Sequence, residues 1–330
     1  MVDDREPAGA PRTNVYLTVD TEYSGALFRD GGVAGRAANF ETAVLGRTPR
    51  GEAGIVYQME MLDRYGLKAV FFVDPMPALV WGAGAVDDVV APILARGHEV
   101  QLHLHTEWLA FARTAPPVPG TGHDMKDFSR ADQRLLIEWG IDALMAAGAP
   151  RPTAFRAGNY GANDDTLAAL ADAGIAIDTS HCPGIAQSRC AISLTGADRA
   201  PLCHGGVIEV PIGAIGGPRG TLRHAQLTAL SHAELVGAVR LAVAERAQCF
   251  TIVSHSFELL SQDGRRINPI LRRRFEALCR SLAELPGCRT VTYREAPPVA
   301  EPRAAPAAVL PHRPLRAGLR MAEQAIANRF

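Results

Sequence analysis

Gly97-His98-Glu99-Val100-Gln101-Leu102-His103-Leu104-His105-Thr106-Glu107-Trp108 alternates polar and apolar residues from Glu99 onward and closes on two imidazoles one residue apart. Residues i and i+2 of a strand share a face, so His103 and His105 present two ring nitrogens side by side at a strand's carboxyl end. A carboxylate from a neighbouring strand would complete a facial set for one divalent metal ion. Such a carboxylate stands in Val15-Tyr16-Leu17-Thr18-Val19-Asp20-Thr21-Glu22, where a β-rich apolar run stops at Asp-x-Glu.

Outward from this pair, short apolar runs recur at 15–20, 68–73, 99–104, 153–156, 175–179, 207–211, 250–254 and 288–292. Helical periodicity occupies 54–65, 86–96, 129–147, 163–173, 231–247 and 268–284 between them, with Ser129 and Asp132 placed as a helix start. Alternation of this kind predicts βαβ units and an α/β fold, a distorted (β/α) barrel of about seven parallel strands. Polar residues gather at the carboxyl ends of the runs, where barrels keep their reactive groups: Asp20 and Glu22, Asp74, His103 and His105, Arg156, Asp178 and His255. Long glycine-bearing connections at 24–54, 111–124 and 184–206 are expected to shape a binding site. The expected division is an N-terminal extension over 1–14, the barrel over 15–295 and a Pro/Ala/Arg-rich tail over 296–330. Within the tail, 313–330 reads as a short basic helix suited to the barrel, a partner or an anionic membrane surface. Arg272-Arg273-Arg274 reads as a solvated helix face.

Composition narrows the classes. The 330 residues are 47% hydrophobic and 21% charged, an ordinary globular mixture. A net charge of -1 and a pI near 6.8 leave no nucleic-acid footprint. Six irregularly spaced cysteines form neither a disulfide scaffold nor a zinc ribbon. Residues 1–14 lack an apolar stretch and a cleavage pattern, and no run is long enough for a transmembrane helix, so the cytoplasm is the expected address.

In order along the chain, Thr18-Val19-Asp20-Thr21, Gly97-His98-Glu99 with His103, Phe155-Arg156-Ala157-Gly158-Asn159-Tyr160-Gly161, Ile177-Asp178-Thr179-Ser180 and Thr251-Ile252-Val253-Ser254-His255 resemble the five motifs of the NodB-type polysaccharide deacetylases. That family comprises metal-dependent carbohydrate deacetylases on a distorted (β/α) barrel. Two positions depart from its pattern. Thr21 stands where the family has its metal-binding aspartate, so the ligand falls to Asp20 or Glu22. Glu107 stands where it has a second histidine, so that role falls to His105 or to Glu107. His98 reads as a structural residue of the turn before its strand.

The resemblance implies one divalent metal ion, with zinc placed first and Co, Ni, Mn or Fe as alternatives. Its candidate ligands are Asp20, Glu22, His103 and His105, with Glu107 as substitute. Hydrolysing an N-acyl amide needs a base, an acid and oxyanion donors. Asp20, or Glu22 where Asp20 is a ligand, is the candidate base, and Arg156 orients it. His255 is the candidate acid, and Asp178 would hydrogen-bond His255 or Arg156. Asn159 and Tyr160 would serve the oxyanion, and Trp108, at the mouth, would face a sugar. The expected activity is metal-dependent removal of an acetyl or similar small acyl group from an N-acylated amino sugar, such as a sugar-linked precursor of a cell-surface glycan. Two other readings stand beside it, a metal-dependent hydrolase of a small linear or cyclic amide and a metal-free carbohydrate-binding pseudoenzyme.

Overall fold

A computed structural model describes residues 12–185, 187–302, 307–314 and 318. Each apolar run becomes a strand, and one short strand joins them in the main sheet: β1 Thr13–Thr21, β2 Val70–Val73, β3 Glu99–Leu104, β4 Ala154–Ala157, β5 Ile177–Asp178, β6 Leu202–His204, β7 Val207–Glu209, β8 Cys249–His255 and β9 Cys288–Thr290. They form one sheet in the order β8-β1-β2-β3-β4-β5-β7-β6, with β9 beside the start of β1. All pairings are parallel except β6 with β7. Among the described residues β6 and β8 do not pair, so the sheet is a half-barrel.

The two-residue period of the strands sorts the side chains. One set packs outward against the helices, including Leu17, Phe71, Val73, Leu102, Leu104 and Phe155. The other fills the concave side, where Tyr16, Val70, Phe72, Ala154 and Tyr293 form an apolar floor and Tyr16 stacks on Tyr293 at 4.4 Å. Above that floor the same face turns polar. Two registers matter here, since Asp20 is level with His255 and His103 with Arg156. Adjacent strands therefore deliver these four side chains to one end of the half-barrel.

The helices fall on the expected stretches, as in Ile55–Arg64, Arg130–Ala146 and Pro269–Glu284. Ser129 accepts from Asp132 N at 3.2 Å, and Ser231 and Glu234 complete a capping box for His232–Ala244. Helix Arg130–Ala146 lies directly on β3 at Gly140, where an added Cβ would meet Leu102 Cδ1 at 2.9 Å. Arg274 departs from the solvated face read from sequence. It is buried, and its Nη1 donates to the carbonyls of Leu227 (2.9 Å) and Leu230 (3.1 Å).

Residues beyond β9 stay on the half-barrel: Gln248 exchanges hydrogen bonds with the Val299 backbone, and Gly216 N donates to Leu310 O at 2.8 Å. Residues 1–11 of the extension and nearly all of the basic helix expected over 313–330 lie outside the described residues. No described helix is long and apolar enough to cross a membrane.

Candidate active site

His103 is the last inward residue of β3, and His105 follows it just past the strand end. Their imidazoles meet at 79° with centroids 4.9 Å apart. Glu22, one residue beyond β1, reaches both, with Oε2 3.4 Å from His103 Nε2 and in contact with His105 Nε2. One ligand atom from each of the three residues lies within 4.8 Å of the others.

His103 Nδ1 is 2.7 Å from the carbonyl oxygen of Arg156. A carbonyl only accepts, so Nδ1 carries a proton, and Nε2 is the nitrogen that faces Glu22. Glu22 Oε2 is buried without an aligned donor, although two ring nitrogens face it. An orphaned carboxylate oxygen beside two imidazole nitrogens is a donor set that fits a divalent cation.

Electrostatics bind the cluster together. Burial alone would push His105 down, but Glu22, Glu107 and Asp74 hold it well above its ordinary pKa. Burial would likewise raise Glu22, but His105 and His103 keep it well below the usual carboxylate range. Asp74, which ends β2, is pushed by burial up to about 7. Its Oδ1 accepts from Met76 N (3.0 Å) and His105 N (3.4 Å), and its Oδ2 has no partner.

Beside this cluster, Asp20 belongs to an ion pair. Arg156, fully buried, crosses the interior from β4 and donates Nη1 to Asp20 Oδ1 at 2.5 Å and to Thr18 Oγ1 at 3.0 Å. Its guanidinium lies over the Phe72 ring at 4.4 Å, and Nε donates to Thr179 O. Asp20 Oδ2 is left 4.0 Å from His255 Nε2. On the other side of that ring, Nδ1 is 2.7 Å from Glu258 Oε2. Burial works against the imidazolium, but Glu258, with Asp20 and Glu22 behind it, raises His255 to about 9. Glu258 is itself fixed by Thr228 and Gln226.

The turn after β4 closes the site. Asn159 and Tyr160 both adopt left-handed backbone, with φ of 55° and 56°. Two successive non-glycine residues in that region cost on the order of 1–2 kcal/mol each, a strain typical of functional turns. Gly158 permits the turn, because a Cβ there would stand 2.7 Å from Leu104 O. Asn159 and Tyr160 line a cleft of about 360 Å³ with Asp20, Glu22, His103 and His255.

Three expected roles meet a different geometry. Trp108 does not face the cleft. The short helical turn Thr106–Phe111 folds its ring inward, where it is 1% exposed and packs on Trp81, Phe28 and Phe111. Asp178 bonds neither His255 nor Arg156, because Ile177 takes the inward position of β5 and Asp178 points outward. There it accepts from Ser180 and lies level with Glu209 of β7. Glu107 lies behind the cluster, its Oε2 3.7 Å from His105 Nδ1, where it orients that ring from outside.

His98 is buried against Phe71 with its Nε2 3.3 Å from Asp63. Sequence reasoning did not single out Glu258 and Gln226. The spacing His255-x-x-Glu258 just past a strand end was the available signal for the first, whereas Gln226 comes from a distant loop with no local pattern.

Fold and site together define an α/β barrel protein whose reactive side chains converge at the carboxyl ends of its strands. Residues 51–177 match the family model described as Polysaccharide deacetylase. That span holds His103, His105 and Arg156 and leaves Asp20, Glu22 and His255 outside it. A solved structure from Mycobacterium smegmatis, assigned as a polysaccharide deacetylase, aligns with TM-score 0.55 at 15% identity over 88% of this chain and 91% of its own. A 4-alpha-glucanotransferase from Thermococcus litoralis aligns with TM-score 0.50 at 12% identity over 90% of this chain and 43% of its own. At such identities the likeness is one of fold. No curated protein sequence matches the chain.

Proposed function

We propose that the protein removes an N-acetyl group, or a similarly small acyl group, from an amino sugar, using a divalent metal ion held by Glu22, His103 and His105. The observation that carries this reading is the convergence of those three side chains beside an arginine-held carboxylate and a glutamate-held imidazole. Zinc suits two imidazoles and a carboxylate. When bound, such an ion supplies Lewis acidity toward the amide carbonyl and the attacking water.

The chain's own groups supply the proton transfers. Arg156 occupies Asp20 Oδ1, which leaves Oδ2 to take a proton from water as its oxygen adds to the carbonyl carbon. Backbone amides at Asn159 and Tyr160 face the oxygen where charge develops. Glu258 holds Nδ1 of His255, so Nε2 gives its proton to the nitrogen as the C–N bond breaks. Acetic acid and a free amine leave, the acid giving its own proton to solvent to become acetate, and the proton taken by Asp20 restores His255 through solvent.

The place of action we propose is the cytoplasm. All six cysteines are unpaired, which supports a reducing compartment. A precursor made inside the cell would then be the substrate.

Metal content and acetate release test the reading together. Purified without a histidine tag, the wild type should carry near-stoichiometric metal and release acetate from N-acetylglucosamine glycosides. A His103→Ala, His105→Ala double variant should lose both. Absence of metal from the wild type after reconstitution with zinc and cobalt would remove the mechanism.

A further inference from the structure

A second cleft, of about 270 Å³, is lined in part by Phe257, whose ring packs beside the His255 imidazole of the first. Its walls begin two residues beyond the site on each side, at Ser24 after Glu22 and at Phe257 after His255. Phe257 is 39% exposed, and its ring lies 5.3 Å from the His255 imidazole at an interplanar angle of 33°. Leu27, Ala43 and Leu260 supply further apolar wall, and the Thr42 Cγ2 methyl is turned toward Gly264. Several polar groups around the cleft are already used within the fold, and the exposed side chains of Gln262 and Asp263 also line it. Ser24 Oγ caps Leu27 N at 3.2 Å, Ser261 Oγ donates to Asp263 Oδ1 at 2.6 Å, and Ala43 O accepts from Ser256 Oγ at 2.7 Å. Along the wall of Leu27, Ala43, Phe257 and Leu260 sugar hydroxyls would find few partners, whereas an aliphatic chain would lose nothing by leaving water.

The position of the cleft selects which part of a substrate it meets. His255 is the group that protonates the departing nitrogen, so the sugar lies on its side of the site, and the acyl group lies toward Asn159 and Tyr160. What continues past His255 onto Phe257 is therefore the aglycone of the sugar. We infer that the substrate is a glycolipid whose aliphatic aglycone lies between Leu27 and Phe257. The inference rests on the deacetylase reading and extends it to the substrate class.

The test compares the octyl and methyl glycosides of N-acetylglucosamine, both below any micellar concentration. The wild type should favour the octyl compound in kcat/KM by roughly ten-fold or more, chiefly through KM. That ratio should fall toward one in Phe257→Ala and, separately, in Leu27→Ser, both of which line the cleft. The methyl glycoside serves as the internal control, and a circular-dichroism melt verifies that each variant is folded. Equal kcat/KM for the two glycosides in the wild type, or a ratio that neither variant moves, would overturn the cleft and leave deacetylation standing. Should neither glycoside lose acetate, calorimetry with the octyl compound decides. Binding weakened by Phe257→Ala would keep the apolar cleft and discard the deacetylase reading, and no binding would discard both.

Discussion

His255 has Glu258 on Nδ1 and Asp20 near Nε2, and the two carboxylates have different consequences. Glu258 holds the proton donor in its protonated form through the neutral range, since His255 is raised to about 9. An acid of that kind loses activity as pH rises through its pKa, so the alkaline limb of kcat/KM should fall near 9. Glu258→Gln keeps the shape but removes the charge, and His255 then moves down toward the ordinary imidazole value of about 6.5. The alkaline limb should shift down by about 1–2 pH units, with kcat lower by on the order of 10–100-fold. A pH profile whose alkaline limb does not move would assign Glu258 a purely structural part. The legibility of the site follows the same physics. His103, His105, Asp20 and Arg156 were readable because strand periodicity alone aims them, and β1, β3 and β4 bring them to one end. Asp178 was misread for want of one datum, the phase of a two-residue strand, which puts Ile177 inward and the aspartate outward. Trp108 was misread because a short helical turn, invisible to periodicity, rotates the ring into an aromatic cluster.

Elements whose stability comes from a repeated pattern were legible, and elements made by tertiary fit were not. The helix Arg130–Ala146 is marked by its Ser129 cap and apolar stripe. The segment from Gly25 to Val44, by contrast, breaks into an α turn, a 3₁₀ turn, a second α turn and a π turn. No single period runs through it, and it is held by contacts such as Asn39 with the Ser24 backbone and Trp81 with Val33 O. The two short hairpins at Arg47–Glu52 and Ala214–His224 were likewise missed, since strands of two or three residues carry no alternation to read. Close packing of helix on strand gives the prediction at this scale. At Gly140 a side chain would drive into Leu102 and Leu104, the outward neighbours of His103 on β3. Gly140→Val should therefore destabilise the fold by about 1–3 kcal/mol through overpacking, read from the urea midpoint. A variant as stable as the wild type would mean that this helix is free to lift from the strand.

Over the whole molecule, charge is buried on both faces of the sheet, and the two faces handle it differently. On the concave face carboxylates meet cations, as in Asp20 with Arg156 and Glu22 with the two histidines. On the convex face Asp178 and Glu209 are paired by strand register, both fully buried, and no cation hydrogen-bonds them among the described residues. Glu209 Oε1 accepts from His181 N at 3.1 Å, while Oε2 has no donor and faces Asp178. Burial first, and then the neighbouring carboxylate, raise Glu209 well above its ordinary pKa, so the folded pair keeps a proton that the unfolded chain releases near its usual value of about 4.3. For a carboxyl raised on folding, the stability it contributes is complete below the unfolded pKa and is lost as pH rises through the folded one. Glu209→Gln supplies a permanent donor to Asp178 and removes that titration. The melting temperature of the wild type should therefore fall relative to that of the variant as pH rises above the unfolded carboxyl value of about 4.3, all other titrating groups being common to both. A difference in Tm between the two proteins that stays constant as pH rises would show that the pair holds no such proton.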